Sequence, residues 1–371
     1  MQYHPVLQQL ERESCTWLVT GAAGFIGSNL VEALLKLDQT VVGLDNFSTG
    51  HRRNLEDVRQ IVGPQRWKNF SFIEADISDA QACERACAGV EYVLHQAALG
   101  SVPRSISDPK ATNQSNVTGF LNMLCAANHA RATRFVFASS SSVYGDHPVL
   151  PKIEDVIGNC LSPYAVSKRV NELYALAFSK CYGMECVGLR YFNVFGPRQD
   201  PKGPYAAVIP RWIAAMIENR PLHINGDGET SRDFCYVANA VQANLVAALC
   251  PSNDAVSQIY NVAVGERTTL DQLFRILKSR LLPHCPHLKN LAPVYFPARP
   301  GDVRHSQAHI SKAQSLLGYE PTHNVEQGLD ETLKWYMAAL AQTERATLEC
   351  SVENPDLMPP QPAAADQLTA V

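Results

Sequence analysis

Tyr164 and Lys168 stand four residues apart in Tyr164-Ala-Val-Ser-Lys168, a spacing that puts both side chains on one face of a helix. An ammonium beside a phenol favours the ionised phenol, and a tyrosine tuned this way takes a proton from an alcohol. Removing the proton of a carbinol oxygen is useful when a hydride acceptor waits at the carbon. Ser139-Ser-Ser-Ser142 and Tyr144 come shortly before the pair, a run of hydroxyls close enough in sequence to share its site. Tyr-x-x-x-Lys alone carries little information, since most such pairs on surface helices are simply solvated. The rest of the chain has to supply the acceptor.

Trp17-Leu-Val-Thr20, a short apolar strand, leads into Gly21-Ala-Ala-Gly24-Phe25-Ile26-Gly27 and then a helical run over 28–36. Glycines at such a turn let the backbone approach a pyrophosphate, and the helix behind offers free N–H groups and a positive dipole end. Thr40-Val-Val-Gly-Leu44 then ends in Asp45, about twenty residues beyond the glycines, where a carboxylate accepts hydrogen bonds from a ribose diol. A carboxylate there repels a 2′-phosphate. Asn46, Phe47 and Ser48 place no arginine directly after it, and Arg52 and Arg53 lie farther along, so NAD is favoured over NADP.

The same alternation continues. Phe70-Ser-Phe-Ile73 leads to Asp76 and Ile77, Tyr92-Val-Leu-His-Gln96 to Ala97 and Ala98, Arg134-Phe-Val-Phe-Ala138 to the serines, and Cys186-Val-Gly-Leu-Arg190 to Tyr191, Phe192 and Asn193. Short apolar runs ending in small or polar residues are how buried parallel strands look when their carboxyl ends line a ligand crevice. With helical stretches over 116–130 and 164–181 between them, the expected fold is α/β, a Rossmann-type doubly wound parallel sheet. After Asn193 the chain is rich in proline, with a tight turn at Gly226-Asp-Gly228; helices over 238–249 and 269–281 and a strand at Ile259-Tyr-Asn-Val-Ala263 follow. A smaller, interleaved α/β lobe is therefore expected beside the sheet.

Composition excludes several classes. The 371 residues are 46% hydrophobic and 18% charged with a net charge of −4, which describes a globular chain without the basic surface of a nucleic-acid or membrane binder. No apolar run approaches the ~20 residues that span a bilayer. Residues 1–14 could form a short amphipathic helix and lack the apolar segment of a secretion signal, so the cytoplasm is the expected compartment. Eleven cysteines are scattered without metal-site spacing and are expected to be free thiols, with no metal bound.

With Thr20-Gly-Ala-Ala-Gly-Phe-Ile-Gly27, the serine run before Val143-Tyr144-Gly145, and Tyr164-x-x-x-Lys168 in order, the chain resembles the extended short-chain dehydrogenase/reductases, specifically the nucleotide-sugar epimerases. Gly43-Leu-Asp-Asn-Phe47, His95-Gln-Ala-Ala-Leu-Gly-Ser-Val-Pro-Arg104, Arg190-Tyr-Phe-Asn-Val-Phe-Gly-Pro-Arg-Gln-Asp200 and Tyr205-Ala-Ala-Val-Ile-Pro210 are similar to the bacterial UDP-N-acetylglucosamine 4-epimerases of surface-polysaccharide synthesis. The likeness runs from near residue 15 to near residue 340.

It implies that Tyr164 removes the sugar O4 proton, that Lys168 holds the nicotinamide ribose and lowers the tyrosine pKa, and that Ser140, with Ser142 as a second contact, hydrogen-bonds the same oxygen. The cofactor would be NAD, held by the turn residues Gly21, Gly24, Phe25, Ile26 and Gly27, by Asp45 and the loop Asn46, Phe47, Ser48 and Gly50, and by Asp76, Ile77, Gln96, Ala98 and Tyr191 at the strand ends. A UDP-sugar would be held by Arg232 and Arg299 at the diphosphate, Asn193 beside them, and Ala207, Val208 and Asn225 at the uridine, with Asp302 near. Ser306 matches a gate that is bulky where only glucose and galactose are admitted, and Ser101 a contact near the acetamido group. In this reading 1–14 is an extension, 15–195 with a return at 234–264 binds NAD, 196–233 and 265–340 bind the UDP-sugar, and 341–371 is a mobile tail. A homodimer through the helices starting near Asn116 and Tyr164 is also implied. Dehydratases and sugar-acid decarboxylases of this class would need carboxylates near Ser141 and Ser142, which are absent. A UDP-glucuronate (or UDP-N-acetylhexosaminuronate) or UDP-glucose 4-epimerase is the alternative, and loss of Tyr164 or Lys168, the usual mark of an inactive NAD-binding scaffold, has not occurred.

Overall fold

The computed structural model describes residues 3–202, 206–298 and 303–338. Seven of its strands form one sheet: β1 (Thr16–Thr20), β2 (Thr40–Asp45), β3 (Phe70–Glu74), β4 (Tyr92–His95), β5 (Arg134–Ser140), β6 (Cys186–Tyr191) and β7 (Gln258–Val262). They lie in the order β7-β6-β5-β4-β1-β2-β3, and every pairing is parallel. All six residues of β6 are buried. Helices cover both sheet faces, so the strands read as continuous apolar runs instead of alternating ones.

On one face lie α1 (Tyr3–Arg12), α2 (Phe25–Lys36) and the helix Val237–Leu249, sharing a core that includes Val6, Trp17, Leu34, Val246 and Tyr260. On the other lie the helices Ala80–Cys87, Phe120–His129 and Pro163–Tyr182, packed around Leu18, Phe120, Phe135 and Phe178. The stretch expected as a helix from 116 opens differently, with a π-helical turn over Gln114–Gly119. Asn116 in that turn donates to Leu99 O at 3.1 Å and Ser167 Oγ at 3.1 Å and accepts from Leu99 N at 2.7 Å. The wider turn thus ties the loop after β4 to the helix that carries Tyr164 and Lys168.

A second core gathers Phe195, Trp212, Ile224, Phe234, Leu273 and Leu329. It is built by the helices Val208–Ile217 and Leu270–Leu281 and by helical residues 325–338. Thr269 and Gln272 form a capping box that starts the second of these. Arg198, buried between the lobes, donates to Asn29 and Glu32 of α2 and to Asp57 of the helix Arg52–Trp67.

The direction of winding reverses between β1 and β4, which opens a crevice at the carboxyl ends of the strands. Gly21 follows β1, Asp45 closes β2, Gln96 follows β4, Ser140 closes β5 and Tyr191 closes β6, so these residues share one rim. Among the described residues no helix is long and apolar enough to cross a membrane, no group of three or more metal-ligating side chains stands together, and the cysteines are free thiols. Arg299, Asp302 and the segment 341–371 lie outside the described residues.

Candidate active site

Gly21 turns the chain at φ +67° as it leaves β1. At Gly27 a Cβ would sit 2.0 Å from the Gly21 carbonyl oxygen, so only glycine lets α2 start this close to the turn. The first N–H groups of α2 lack partners within the helix and face its amino end. Asp45 is 7% exposed, and its carboxylate accepts from Ala23 N at 2.9 Å and Phe47 N at 2.8 Å. Burial raises its pKa above the ordinary carboxylate value, and these N–H donors oppose the rise. Gly50 allows the following loop to close on the turn: a Cβ there would lie 2.8 Å from Ala23 C, and His51 N donates to Ala23 O at 3.0 Å.

Tyr164 and Lys168 lie in the first turns of the helix Pro163–Tyr182. Ser162 caps it by accepting from Ala165 N at 3.2 Å, and Pro163 supplies a preset first helical position. The Ser140 hydroxyl faces the Tyr164 phenol, and Ser140 Oγ accepts from Ser142 N at 3.1 Å. Lys168 is 4% exposed and donates to Ala138 O at 2.8 Å. Burial lowers its ammonium to about 8. The expectation that Lys168 draws down the tyrosine pKa does not describe this geometry. Burial raises the Tyr164 phenol, the opposing influence is the Ser140 hydroxyl, and Lys168 is engaged with a main-chain carbonyl of the strand that bears Ser140.

One turn along the helix, Glu172 accepts from Ser139 Oγ at 2.6 Å and from Arg190 Nε and Nη2 at 2.8 and 2.9 Å. This fixes β5, β6 and the helix to one another directly beneath the serine and tyrosine. Tyr144, grouped with the serines in sequence, is a core residue: its hydroxyl donates to Asn261 Oδ1 at 2.7 Å and its ring lies 4.8 Å from the Arg190 guanidinium carbon.

These elements enclose a cleft of about 610 Å³. Its walls bring together Gly21, Gly24, Phe25, Ile26, Gly27, Asp45, Asn46, Ser48, Asp76, Ile77, Gln96 and Ala98 with Ser140, Tyr164, Lys168, Tyr191 and Asn193. Ser142, Phe47, Gly50 and Ser101 stand off the wall. Ser142 Oγ is buried without a partner among the described residues. Phe47 supports Asp45 through its backbone only, while its ring packs on Phe72 at 5.3 Å beneath Arg52. Ser101 instead caps the helix Val102–Ser107, accepting from Arg104 N at 3.2 Å, and Gly100 and Arg104 line the cleft.

Asn225, Arg232, Ala207 and Val208 belong to segments packed in the second core and do not line the cleft, although Ala206 does. Ser306 N donates to Ser231 O at 3.1 Å, which brings Ser306 beside Arg232 through the Ser231–His305 bridge, whose residues are 74 positions apart. Other cleft residues escaped sequence reasoning. His51 Nε2 lies 2.9 Å from Asp200 Oδ2, a contact between loops 149 residues apart. Asn244 locks Gln96 and Tyr191: Tyr191 OH donates to Gln96 Oε1, Gln96 Nε2 to Asn244 Oδ1, and Asn244 Nδ2 to Tyr191 OH. Such pairings leave no local pattern, whereas Gln199 and Asp200 at least sit within a recognisable segment.

The residues present fit a dinucleotide. A glycine cradle admits no Cβ, a buried carboxylate closes the second strand, and Gln199 Oε1, on the cleft wall, is buried without a partner among the described residues. The donor set that recognises a pyrophosphate and a ribose is thus assembled beside a hydroxyl pair and a buried ammonium.

Residues 17–263 match the NAD dependent epimerase/dehydratase family. The chain is 35% identical over 321 residues to a UDP-glucose 4-epimerase of Mycolicibacterium smegmatis, covering 86% of this chain and 97% of that protein. Among solved structures it is similar to a UDP-N-acetylglucosamine 4-epimerase from Methanobrevibacter ruminantium in complex with UDP-N-acetylmuramic acid, with a TM-score of 0.80 at 38% identity over 88% of this chain and 99% of that one. A UDP-glucuronic acid 4-epimerase from Bacillus cereus in complex with UDP-glucuronic acid and NAD aligns with a TM-score of 0.78 at 31% identity, over 87% and 99% of the two chains.

Proposed function

Because the chain belongs to the NAD-dependent epimerase/dehydratase family and is an NAD-dependent UDP-sugar 4-epimerase, we propose that it interconverts UDP-N-acetylglucosamine and UDP-N-acetylgalactosamine. The observation that carries this choice is Ser306, a small side chain held beside Arg232 by the Ser306–Ser231 hydrogen bond. A small residue there leaves room for an acetamido group. Arg232, with Arg299 as its partner, suits the diphosphate because a guanidinium is a forked and permanently charged donor. Asn193, Ala207, Val208, Asn225 and Asp302 complete the nucleotide side of the reading, and Ser101 and Ser142 the sugar side.

NAD, held by the glycine turn, Asp45 and Lys168, supplies a reversible hydride acceptor for sugar C4. The chain's own contribution is the proton. Tyr164 takes it from O4 as C4 is oxidised, and the Ser140 hydroxyl facing the phenol keeps that oxygen within reach. The resulting 4-keto sugar turns over, and Tyr164 returns the proton as C4 is reduced on its other face. No net oxidation occurs. Lys168, buried and anchored on Ala138 O, is the group that would hold the nicotinamide ribose beside the phenol.

The strand-end serine run suits a UDP-glucuronate 4-epimerase as well. Supplying the purified enzyme separately with UDP-N-acetylglucosamine, UDP-glucose and UDP-glucuronate, and following product epimers by NMR, distinguishes the readings. The acetamido sugar is expected to give the highest kcat/KM; turnover of the uronic acid alone would refute the choice. We further infer a cytoplasmic homodimer serving surface-polysaccharide synthesis. Val166, Leu173 and Tyr182, exposed on the helix Pro163–Tyr182, support pairing through that helix. Light scattering is expected to give twice the 40.8 kDa chain mass, and a monomer would refute it.

A further inference from the structure

We propose that Asp233 is a positioning residue that sets the register between the phosphate-binding and sugar-gating segments of the second lobe, so that sugar choice depends on a buried carboxylate off the cleft wall. The proposal rests on the reading of Arg232 and Ser306 given above.

Asp233 is fully buried. Its carboxylate accepts from Val264 N at 3.0 Å, Gly265 N at 3.1 Å and Ala308 N at 3.1 Å. Three segments far apart in sequence therefore converge on one side chain. The first carries Arg232, the second is the exit of β7, and the third follows Ser306 by two residues. The Asp233 carbonyl in turn accepts from Asn193 Nδ2 at 3.2 Å, and Asn193 lines the cleft.

The segments are joined on both sides of Arg232. Before it, Ser231 O accepts from Ser306 N at 3.1 Å and Ser231 Oγ lies 2.8 Å from His305 Nδ1. After it, Asp233 holds Ala308. The far edge of the 305–309 segment is fixed by Lys152, whose N donates to Gln307 O at 2.7 Å and whose O accepts from His309 N at 2.9 Å. Arg232 and Ser306 thus have little freedom to slide past each other.

A carboxylate is suited to this post. Burying it is unfavourable unless its lone pairs are taken up, and three converging N–H groups take them up only in one geometry. An asparagine of the same shape would turn an NH2 group toward N–H donors and release at least one segment. Ser140, Tyr164 and Lys168 sit on β5 and the helix behind it, outside this knot, so their arrangement does not depend on it.

Asp233→Asn tests the assignment in the full-length enzyme with NAD bound. KM for the UDP-sugar is expected to rise about tenfold with kcat changed less than about threefold, and the kcat/KM ratio of UDP-N-acetylglucosamine to UDP-glucose to move several-fold toward unity. A folded variant whose KM and ratio both stay within about twofold of wild type overturns the proposal, as does an equal fall in kcat for both sugars at unchanged KM. Should Asp233→Asn not accumulate as folded protein, Gln307→Ala decides. Gln307 Nε2 donates to Gly265 O at 2.8 Å and ties two of the same segments without a buried charge. A shift of about two- to threefold in the same ratio is expected, and an unchanged ratio overturns the proposal. The wild-type enzyme run alongside reports on sugar choice independently. If it ignores the acetamido sugar, that choice fails, and the Asp233 comparison is then read with UDP-glucose against UDP-glucuronate.

Discussion

Tyr164→Phe is expected to lower turnover about a thousandfold while leaving UDP-sugar affinity within about threefold of wild type. The substitution removes one oxygen and keeps the ring that lines the cleft. That oxygen faces the Ser140 hydroxyl and is the group proposed to receive the proton of the sugar hydroxyl. Binding is expected to survive because the nucleotide contacts proposed for Arg232, Asn225 and Asn193 lie on other segments. Lys168 cannot substitute for the phenol: it is buried and already donates to Ala138 O. Steady-state kinetics and calorimetric titration check the two halves separately. Turnover within about tenfold of wild type would remove Tyr164 from the chemistry.

Glu172→Leu is expected to cost about 3–5 kcal/mol of stability, the largest structural effect of any single change considered. Glu172 and Arg190 are both essentially inaccessible to solvent, and their bidentate pair is supplemented by Ser139 and Arg169. Removing the carboxylate leaves the Arg190 cation buried with, among the described residues, the Glu154 carbonyl and the face of Tyr144 to replace it. The midpoint of thermal unfolding should fall by on the order of ten degrees. The double variant Glu172→Leu with Arg190→Met should recover much of the loss, since removing both charges removes the uncompensated one. A single variant destabilised by less than about 1 kcal/mol would show that the pair contributes little.

The contrast between these two sites explains what could be read from the chain alone. Gly21, Gly27 and Asp45 announce themselves because a turn followed by a helix and a strand-end carboxylate are local demands, met within a few residues. Tyr164 and Lys168 were found because one helical turn joins them. The Glu172–Arg190–Ser139 network, the Asn244 lock on Gln96 and Tyr191, and the His51–Asp200 contact unite residues that are distant in sequence and ordinary in type. Nothing in the local pattern marks them. The tuning of Tyr164 is hidden for a related reason: helical spacing puts an ammonium nearby, but shows neither the burial that raises the phenol nor the main-chain carbonyl that engages Lys168.

Arg232 and Ser306 lie between these extremes. The family-like segments single them out, and the fold explains why they act together, because Ser231 and Asp233 fasten the 305–308 strip on either side of Arg232. On the proposed reading, selectivity is a property of the second lobe, while the proton chemistry belongs to the sheet and the helix behind it.

The central claim, that C4 is oxidised and then reduced again within one active site while Tyr164 moves only the hydroxyl proton, is tested most directly with a UDP-sugar deuterated at C4. Run to equilibrium in ordinary water and examined by NMR and mass spectrometry, both epimers should keep the deuterium at C4. Loss of the label to solvent, or its replacement by hydrogen from water during epimerisation, would contradict the account.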